Sequence, residues 1–345
     1  SGVPRTGAVV SEVGINDPVA PMRRAVFRMI DDDARAFLRA APYVHIAGCA
    51  DGEPVLKTVN VVELDGAWYF HAAPAGEKMT LLGTRVVLAA EELVALVPST
   101  FTDEERACVA SALYRSVQVH GVLERVDDAA HKARALQAMM ERYQPEGSHR
   151  PITHEDPMYA GEVRGVLVCR VVPARIDGKA KLAQNKKPHE LCALLEQLWR
   201  RGAPGDPRAI DLVHVANPGA LPPAFLRGPS GVRLCCAMEV VHADAVASML
   251  LHAGRSTGAS AADVARALRS APAWVGAVDG AGSPVGSAHS YLDRGTGAAV
   301  YQVIVREDWR GRGVGAALVR LLADHPSVRV TEDTAWSDAA RDARR

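Results

Sequence analysis

A short glycine-rich segment, Arg310 to Gly315, is the part of the sequence best suited to bind an anion. It follows an apolar stretch, Tyr301 to Val305, that predicts a β-strand, and it precedes an amphipathic stretch that predicts a helix. Glycines let successive backbone N–H groups converge, and a helix N-terminus adds unpaired donors and a partial positive charge. The predicted phosphate-binding residues are therefore Arg310, Gly311, Arg312, Gly313, Val314 and Gly315. A tight strand-to-helix connection is the alternative interpretation.

A polar stripe on a predicted strand, residues 114–126, is the second candidate. Successive side chains alternate between the two faces of a strand. One face therefore carries Tyr114, Ser116, Gln118 and His120, and the other carries Arg115, Val117 and Val119. A polar face of this kind fits a cofactor or a subunit interface, and it fits plain solvent exposure as well. By the same alternation, Thr58 and Asn60 share one face of the predicted strand 54–64.

A basic segment, residues 178–187, is the third candidate. Gln184 and Asn185 lie among four lysines, which are Lys179, Lys181, Lys186 and Lys187. Such a loop would close over a phosphate or a carboxylate substrate. A solvated surface turn is the alternative.

The cysteines do not predict a metal site. Six are scattered along the chain without a C-x-x-C spacing, and Cys169 and Cys235 lie in apolar, strand-like runs. We expect buried, reduced thiols.

The bulk properties exclude some classes of partner. A chain of 345 residues is long enough for two domains, and a hydrophobic fraction of 48% supports folded cores. The net charge of +0 gives no indication of a nucleic-acid partner. No apolar run reaches the roughly 20 residues of a membrane-spanning helix, and the first residues lack a signal-peptide pattern. We expect a cytoplasmic protein that binds neither nucleic acid nor membrane.

The N-terminal part alternates short predicted strands with helices. Asp31 to Asp33 predicts the start of a helix that continues to Ala40, because acidic side chains favour the positive end of a helix. Asp65-Gly66 predicts a two-residue hairpin turn. The other predicted strands are 43–48, 54–64, 68–71, 85–97, 114–126 and 165–176. The other predicted helices are 74–82, 188–200 and one that runs to Tyr143 with Asp127 or Asp128 as its cap. This order favours a small β-barrel decorated by helices.

The C-terminal part follows a different pattern. Residues 201–231 are rich in proline and glycine and predict a linker that contains one strand, Ile210 to Val215. From residue 232 we predict a strand, helices at 245–253 and 261–270, strands at 274–278, 284–291 and 298–305, a helix to 324 and a strand at 328–330. The predicted organisation is an arm (1–21), a barrel domain (22–200), the linker (201–231) and an α/β domain (232–345).

The strand, glycine-rich loop and helix around residue 310 resemble the acetyl-CoA pyrophosphate loop of the GNAT acyltransferases, which has the pattern Arg/Gln-x-x-Gly-x-Gly. The element order from residue 232 also matches the GNAT core from its first strand to its fifth. The family often places a glutamate on the fourth strand and a tyrosine after the fifth, and neither stands in Tyr301–Val305 or in 331–345. The resemblance implies a shortened GNAT-like domain that binds acyl-CoA, and it leaves acetyl transfer open.

The N-terminal strands carry a second family pattern. Tyr43 to Ala47, Asp51 to Pro54, Tyr69 to Ala73 and Gly76-x-Lys78 resemble the flavin-binding split barrels related to pyridoxamine-phosphate oxidase, with the nitroimidazole-resistance reductases as the closest pattern. Lys181 to Asn185 is similar to the Lys-Leu-Ser-Gln-Asn signature of the PaiB-type branch of this superfamily. That branch includes heme-dependent enzymes that join two nitrogens.

The split-barrel resemblance implies an FMN site at a homodimer interface. Lys78, near the start of a short predicted helix, would meet the phosphate. His71 would be a proton donor or an orienting group, or the axial ligand if the cofactor is heme b, with His45 and His120 as rival ligands. The predicted catalytic residues are His71 and His120. The predicted cofactor-binding residues are His45, Thr58, Asn60, Lys78, Tyr114, Arg115, Ser116, Lys181, Gln184 and Asn185.

Together these patterns predict an α+β protein in which a split β-barrel with helices precedes a shortened GNAT-like α/β domain. The predicted function is that of a flavin-dependent oxidoreductase acting on a small molecule, with FMN as cofactor and an accessory domain that binds acetyl-CoA. One alternative is a heme enzyme that forms an N–N or related bond in secondary metabolism. The other is an amine N-acetyltransferase whose barrel serves as a dimerisation module.

Overall fold

A computed structural model describes residues 22–238, 243–252, 260–292 and 299–329. The predicted arm 1–21 and residues 331–345 lie outside the described residues. The chain divides into two compact units, one formed by residues 1–92 and 115–180 and the other by residues 93–114 and 181–345. Each unit combines helices with strands, so the predicted α+β class is confirmed.

Seven strands form the first sheet. They are β1 (Val44–Ala50), β2 (Glu53–Val59), β3 (Val62–Leu64), β4 (Ala67–Ala72), β5 (Arg85–Val97), β6 (Ser111–Val126) and β7 (Leu167–Lys181). Their order in the sheet is β2-β1-β5-β6-β7-β4-β3. Strand β1 is antiparallel to β2, with His45 opposite Thr58, and β4 is antiparallel to β7, with His71 opposite Val168. Strands β6 and β7 are neighbours, and this pairing positions the candidate site described below.

Three helices accompany this sheet in the first unit. They are α1 (Asp31–Ala40), α2 (Ala129–Tyr143) and α3 (Ala160–Gly165). The predicted cap of α2 is present, because the Asp128 carboxylate accepts a hydrogen bond of 2.7 Å from the backbone N–H of His131. Trp68 and Phe70 on β4 are almost completely buried between the strands, and Ala135 and Met139 of α2 join the same core.

The second unit contains a sheet in the order β11-β10-β9-β8. Its strands are β8 (Arg233–Cys235), β9 (Trp274–Val278), β10 (Pro284–Leu292) and β11 (Ala299–Val305). The helices of this unit are α4 (Pro188–Arg201), α5 (Asp206–Val215), α6 (Ala243–His252), α7 (Ala261–Arg269), α8 (Val314–Ala323) and α9 (Pro326–Arg329). Helices α6 and α7 pack against Trp274 and Ile304 to form its core. None of the helices in the described ranges is long and apolar enough to span a membrane.

The predicted strand 54–64 is divided in two. Strand β2 ends at Val59 and β3 begins at Val62, so Asn60 and Val61 lie between them. The Tyr143 hydroxyl accepts from the Val61 N–H at 3.1 Å and donates to its carbonyl at 2.9 Å. These bonds replace those that a neighbouring strand would supply.

Three other predicted elements differ in the structure. The predicted strand Ile210–Val215 is wrong, because these residues belong to α5, in which Pro207 fits the first turn and most side chains are buried. The predicted helix 74–82 is reduced to a 3-10 helix, Glu77–Leu81, which begins after Gly76 with φ of 95°. The predicted strand 328–330 is wrong as far as it is described, because α9 continues to Arg329 and residue 330 lies outside the described ranges.

Candidate functional site

The outward face of β1 and β2 carries a group of polar side chains. His45 Nδ1 lies 3.4 Å from Thr58 Oγ1, and His45 Nε2 lies 3.5 Å from a carboxylate oxygen of Glu91. Val44 and Ile46, on either side of His45, are fully buried, so alternation along β1 turns the histidine outward. Asn60 is exposed, and its amide donates to the Pro42 carbonyl at 3.1 Å. The structure therefore brings His45 and Thr58 together and ties Asn60 to a loop.

The predicted alternation along β6 is present. Val117 and Val119 are almost fully buried, whereas Ser116 and His120 are half-buried and Gln118 is exposed. The two faces of this strand thus differ as the sequence predicts, and the polar face points away from the core.

His120 meets two charged side chains of β7. Its Nε2 lies 2.9 Å from the Arg175 guanidinium and 3.3 Å from Asp177 Oδ2. Arg175 also donates from Nε to Asp177 Oδ2 at 2.8 Å. The pKa of His120 is lowered from its ordinary value, first by burial and then by the Arg175 charge, with Asp177 acting in the opposite direction. The imidazole is therefore neutral at pH 7.

Arg175 and Asp177 were missed by the sequence analysis. The predicted strand 165–176 ended too early, whereas β7 continues to Lys181. A charged pair two positions apart, Arg175-x-Asp177, was the available signal, because such residues share one face of a strand. Their contact with His120 depends on the pairing of β6 with β7, which the sequence does not display.

Arg115 belongs to the first unit and contacts residues of the same unit. Its guanidinium donates to Glu92 Oε2 at 3.0 Å and 2.7 Å, and it stands 5.0 Å from the ring centroid of Phe37. These contacts anchor α1 to the sheet.

His71 lies in a different part of the first unit. Its side chain is exposed, and its Nδ1 is 3.4 Å from Met139 Sδ of α2. Val168, opposite His71, precedes Arg175 by seven positions on β7, which corresponds to up to about 23 Å along the strand. The structure therefore does not bring the two predicted catalytic histidines, His71 and His120, together. Lys78 is half-buried in the 3-10 helix after Gly76, a few residues after His71.

The remaining residues of the predicted cofactor set belong to the second unit. Lys181 donates from Nζ to Ser111 Oγ at 2.7 Å and stands 5.9 Å from the Tyr114 ring centroid. Gln184 Oε1 accepts from the Leu182 N–H at 2.7 Å, which shapes the turn around Ala183 with its φ of 65°. Asn185 is exposed.

In the predicted phosphate-binding loop, residues 310–315, the backbone adopts the positive φ angles that glycine tolerates. Gly311 and Gly313 have φ of 73° and 79°, in the region where side chains are strained. Arg310 and Arg312 are exposed, and Arg312 stands 4.8 Å from the ring centroid of Trp309. Val314 begins the ten-residue helix α8, whose first backbone N–H groups have no acceptor within the helix. The loop therefore provides two cationic side chains beside free backbone donors.

One face of the second sheet carries buried polar groups. Gly286 lies against Leu318 and Val314 of α8, so Ser287 and His289 point to the opposite side. His289 is 9% exposed, and burial lowers its pKa to about 4. Ser287 Oγ is buried and has no hydrogen-bond partner in the described part of the chain.

The cysteines are all free thiols, but the prediction that they are buried is correct only in part. Cys169, Cys235 and Cys236 are buried, whereas Cys49 and Cys108 are exposed. Burial raises the pKa of the Cys169 thiol to about 11, which disfavours the reactive thiolate. Within the described ranges, no three His, Cys, Asp or Glu side chains are grouped so that they could hold a metal ion.

Comparison with solved structures finds distant likenesses, each of which covers less than half of the chain. One is the flavocytochrome Anf3 from Azotobacter vinelandii, with 23% identity over 45% of this chain and 69% of that chain and a TM-score of 0.38. Another is the FAD and heme binding protein from Mycobacterium smegmatis, with 18% identity over 44% and 71% and a TM-score of 0.38. A third is the FAD binding protein from Mycobacterium smegmatis, with 20% identity over 44% and 96% and a TM-score of 0.29. Identities and TM-scores this low do not establish a shared function.

Comparison with protein families gives two separate matches. Residues 31–180 match the family described as pyridoxamine 5'-phosphate oxidase, and residues 250–327 match the acetyltransferase (GNAT) family. No curated protein matches the chain. Both resemblances predicted from the sequence are thereby confirmed: the chain joins a segment similar to the pyridoxamine 5'-phosphate oxidase family to a segment similar to the GNAT family.

Proposed function

We propose that the protein is a flavin-dependent oxidoreductase that binds FMN on the split-barrel segment and acts on a small molecule. The observation that carries this proposal is the match of residues 31–180 to the pyridoxamine 5'-phosphate oxidase family, together with the polar outward face of the same segment. In this proposal the electrons come from a nicotinamide nucleotide. The protein is cytoplasmic and works as a homodimer through the barrel.

The donor set on β6 and β7 fits the polar edge of a flavin ring. Ser116, Gln118 and His120 share one face, and Arg175 adds a positive charge next to His120. The two carbonyl oxygens and the unprotonated ring nitrogens of an oxidised flavin accept hydrogen bonds, so donors on one face of β6 and β7 suit these atoms. The phosphate is assigned to Lys78, whose lysine side chain and neighbouring backbone N–H groups suit an anion.

When bound, FMN would supply hydride transfer, and the protein residues would orient it and set the local charge. His120, neutral at pH 7, accepts a hydrogen bond from Arg175 at Nε2 and keeps its other ring nitrogen for a ligand. Arg175 stabilises negative charge that develops near its guanidinium. His45, beside Thr58 and Glu91, is a further candidate proton donor or acceptor on β1, which β5 separates from β6.

The absorption spectrum of the purified protein tests the cofactor. We expect the two-band spectrum of an oxidised flavin, with bleaching of the longer-wavelength band on addition of a reduced nicotinamide nucleotide. Apo-protein titrated with FMN should show quenching of flavin fluorescence as the ring enters the site. A single intense Soret band without flavin would overturn this proposal.

A heme enzyme is the second candidate, favoured by the surroundings of His71. This imidazole is exposed, and its Nδ1 contacts Met139 Sδ, so Nε2 is the nitrogen that would face an iron atom. In this alternative the similarity of Lys181–Asn185 to the PaiB-type signature points to chemistry that joins two nitrogens. Substitution of His71 by alanine distinguishes the two proposals, because it would abolish heme binding and would leave FMN affinity within a few-fold.

For the second segment we propose accessory binding of acetyl-CoA at residues 310–315. The loop offers Arg310, Arg312 and the free backbone donors at the start of α8, which suit a pyrophosphate. Amine N-acetyltransfer is the alternative for this segment. Turnover of acetyl-CoA with a panel of amines, measured as free thiol released, would establish that activity, and binding without turnover would support the accessory role.

A further inference from the structure

Two oppositely charged side chains of β7 approach the same ring nitrogen of His120. Nε2 lies 2.9 Å from the Arg175 guanidinium and 3.3 Å from Asp177 Oδ2. A guanidinium only donates hydrogen bonds and a carboxylate only accepts them. Nε2 can therefore serve one of these partners at a time: without a proton it accepts from Arg175, and with a proton it donates to Asp177.

The distances favour Arg175 as the partner of the neutral ring. The Arg175 contact is the shorter of the two, and Asp177 already accepts from Arg175 Nε at 2.8 Å. An Nε2 that accepts from Arg175 carries no proton, so the proton of a neutral imidazole must be on Nδ1. His120 would then present an N–H donor at Nδ1, on the side of the ring away from Arg175.

We propose that Arg175 is a positioning residue that holds His120 as its Nδ1–H tautomer, and that protonation of the ring transfers Nε2 from Arg175 to Asp177. Arg175 selects this tautomer whether or not a ligand is bound. If the proposed function is correct, Nδ1–H then donates to an acceptor atom at the edge of a planar heteroaromatic cofactor such as FMN.

The charged side chains around His120 determine how its pKa should change in each variant. Strands β5 and β7 flank β6, and within the described residues the charged groups that act on His120 are Arg175 and Asp177 of β7. Arg175 and burial oppose the charged ring, and Asp177 favours it. Removing Arg175 should therefore raise the pKa of His120 and free Nε2–H to donate to Asp177, whereas removing the Asp177 charge should lower that pKa further.

The test is a pH titration of the ¹⁵N-labelled full-length protein by long-range ¹H–¹⁵N correlation, which distinguishes the two histidine tautomers. The wild-type protein without cofactor should show His120 protonated at Nδ1 and bare at Nε2 at pH 8. Arg175→Met should exchange the two assignments and raise the midpoint of the titration, and Arg175→Lys should restore the wild-type tautomer. A wild-type ring that carries its proton on Nε2 would refute the proposal without any variant.

Arg170→Met is the matched control. Arg170 lies on the same strand, but it donates to Glu124 at 2.8 Å and does not act on His120. This variant removes the same charge and should leave the tautomer and the titration midpoint of His120 unchanged. Equal effects of Arg170→Met and Arg175→Met would show a general loss of structure or charge and would contradict the assigned role.

FMN binding tests the ligand part separately. Arg175→Met should weaken FMN binding by about tenfold at pH 8, which corresponds to the loss of one hydrogen bond to the ring. Unchanged FMN affinity, together with the expected tautomer exchange, would reject the ligand role and keep the tautomer. If the wild-type protein does not bind FMN, the proposed function fails and the NMR result still decides the role of Arg175.

Discussion

Histidines of this protein differ in what their surroundings do to the imidazole. His120 is kept neutral by partial burial and a neighbouring guanidinium, and burial keeps His289 neutral. His45 instead lies beside a carboxylate, that of Glu91. Because the residue type is the same in each case, the sequence alone does not separate these roles. Burial and partners in the folded chain do so.

The low pKa of His289 predicts that acid destabilises the protein. The folded-state pKa, about 4, is below the ordinary value of 6.5, so the unfolded chain binds a proton first. The stabilisation is present above pH 6.5 and is lost as the pH falls toward 4. At pH 5 the loss should be on the order of 2 kcal/mol relative to pH 7.5. Urea unfolding at the two pH values measures it.

His289→Gln provides the comparison, because glutamine does not titrate in this range. The variant is expected to be less stable at pH 7.5, so the informative quantity is the change between pH 7.5 and pH 5. That change should be smaller than in the wild-type protein by the same amount, on the order of 2 kcal/mol. A variant whose stability falls as steeply as that of the wild-type protein would show that other groups cause the acid sensitivity.

A glycine in β6 predicts a second effect at the scale of one residue. A Cβ added at Gly121 would lie 2.4 Å from the Val172 carbonyl oxygen, which belongs to the backbone of β7. Gly121→Ala should therefore separate the two strands and cost about 1–3 kcal/mol of unfolding free energy. Because Gly121 follows His120, the His120–Arg175 contact should weaken as well. Chemical denaturation gives the first quantity, and the His120 titration gives the second.

Gly165→Ala is the control for this substitution. Gly165 ends α3 in the same unit, and an added Cβ there meets no atom within 4 Å. We expect its unfolding free energy to change by less than about 0.5 kcal/mol. Equal destabilisation by both alanines would mean that the close approach to Val172 is not the cause.

At the scale of the elements, local signals identified many of the helices and strands. The acidic first turn of α1 and the aspartate before α2 placed both helices, because acidic side chains are favourable at the positive end of a helix and Asp128 accepts from a backbone N–H of the first turn. Alternation along β6 gave the correct faces. Helix α5 was missed because an apolar run of that length fits a buried helix as well as a strand. Gly205-Asp206-Pro207, a helix start, was the overlooked signal.

The candidate site was less predictable than the elements that hold it. Several of its residues were named from the sequence, but their neighbours across the sheet were not. The strand order β6-β7-β4 brings Arg175 to His120, and the length of β7 separates His71 from them. Strand order and register arise from contacts between distant parts of the chain, which periodicity along one strand does not contain.

The cap of α2 predicts a difference between two adjacent aspartates. Asp128 accepts from the His131 N–H, whereas Asp127 forms an ion pair with Arg125 in which both side chains are largely exposed. Asp128→Ala should lower the unfolding free energy by about 1 kcal/mol, because the backbone N–H of His131 would lose its hydrogen-bond acceptor. Asp127→Ala should change it by less than about 0.5 kcal/mol. Denaturation of both variants tests the assignment, and a larger loss for Asp127→Ala would contradict it.

At the scale of the whole molecule, the two ligand sites that we propose belong to different units of the chain. The proposed FMN site uses residues of the first unit, and the proposed acetyl-CoA site uses residues 310–315 of the second. Each ligand stabilises the folded protein according to its own concentration and affinity, by about 2.7 kcal/mol at a hundredfold excess over Kd. If the assignment is correct, substitutions in one site should remove one of these stabilisations and leave the other.

The loop variant Arg310→Ala/Arg312→Ala tests this separation. Each arginine offers a charge-assisted hydrogen bond to a phosphate, so the double variant should bind acetyl-CoA at least tenfold more weakly by calorimetry. Its FMN affinity should equal that of the wild-type protein. Arg320→Ala is the control, since Arg320 is exposed near the C-terminal end of α8, away from the free N–H groups. If Arg320→Ala weakens acetyl-CoA binding as much as the double variant does, the ligand binds by overall charge and the loop is not its site.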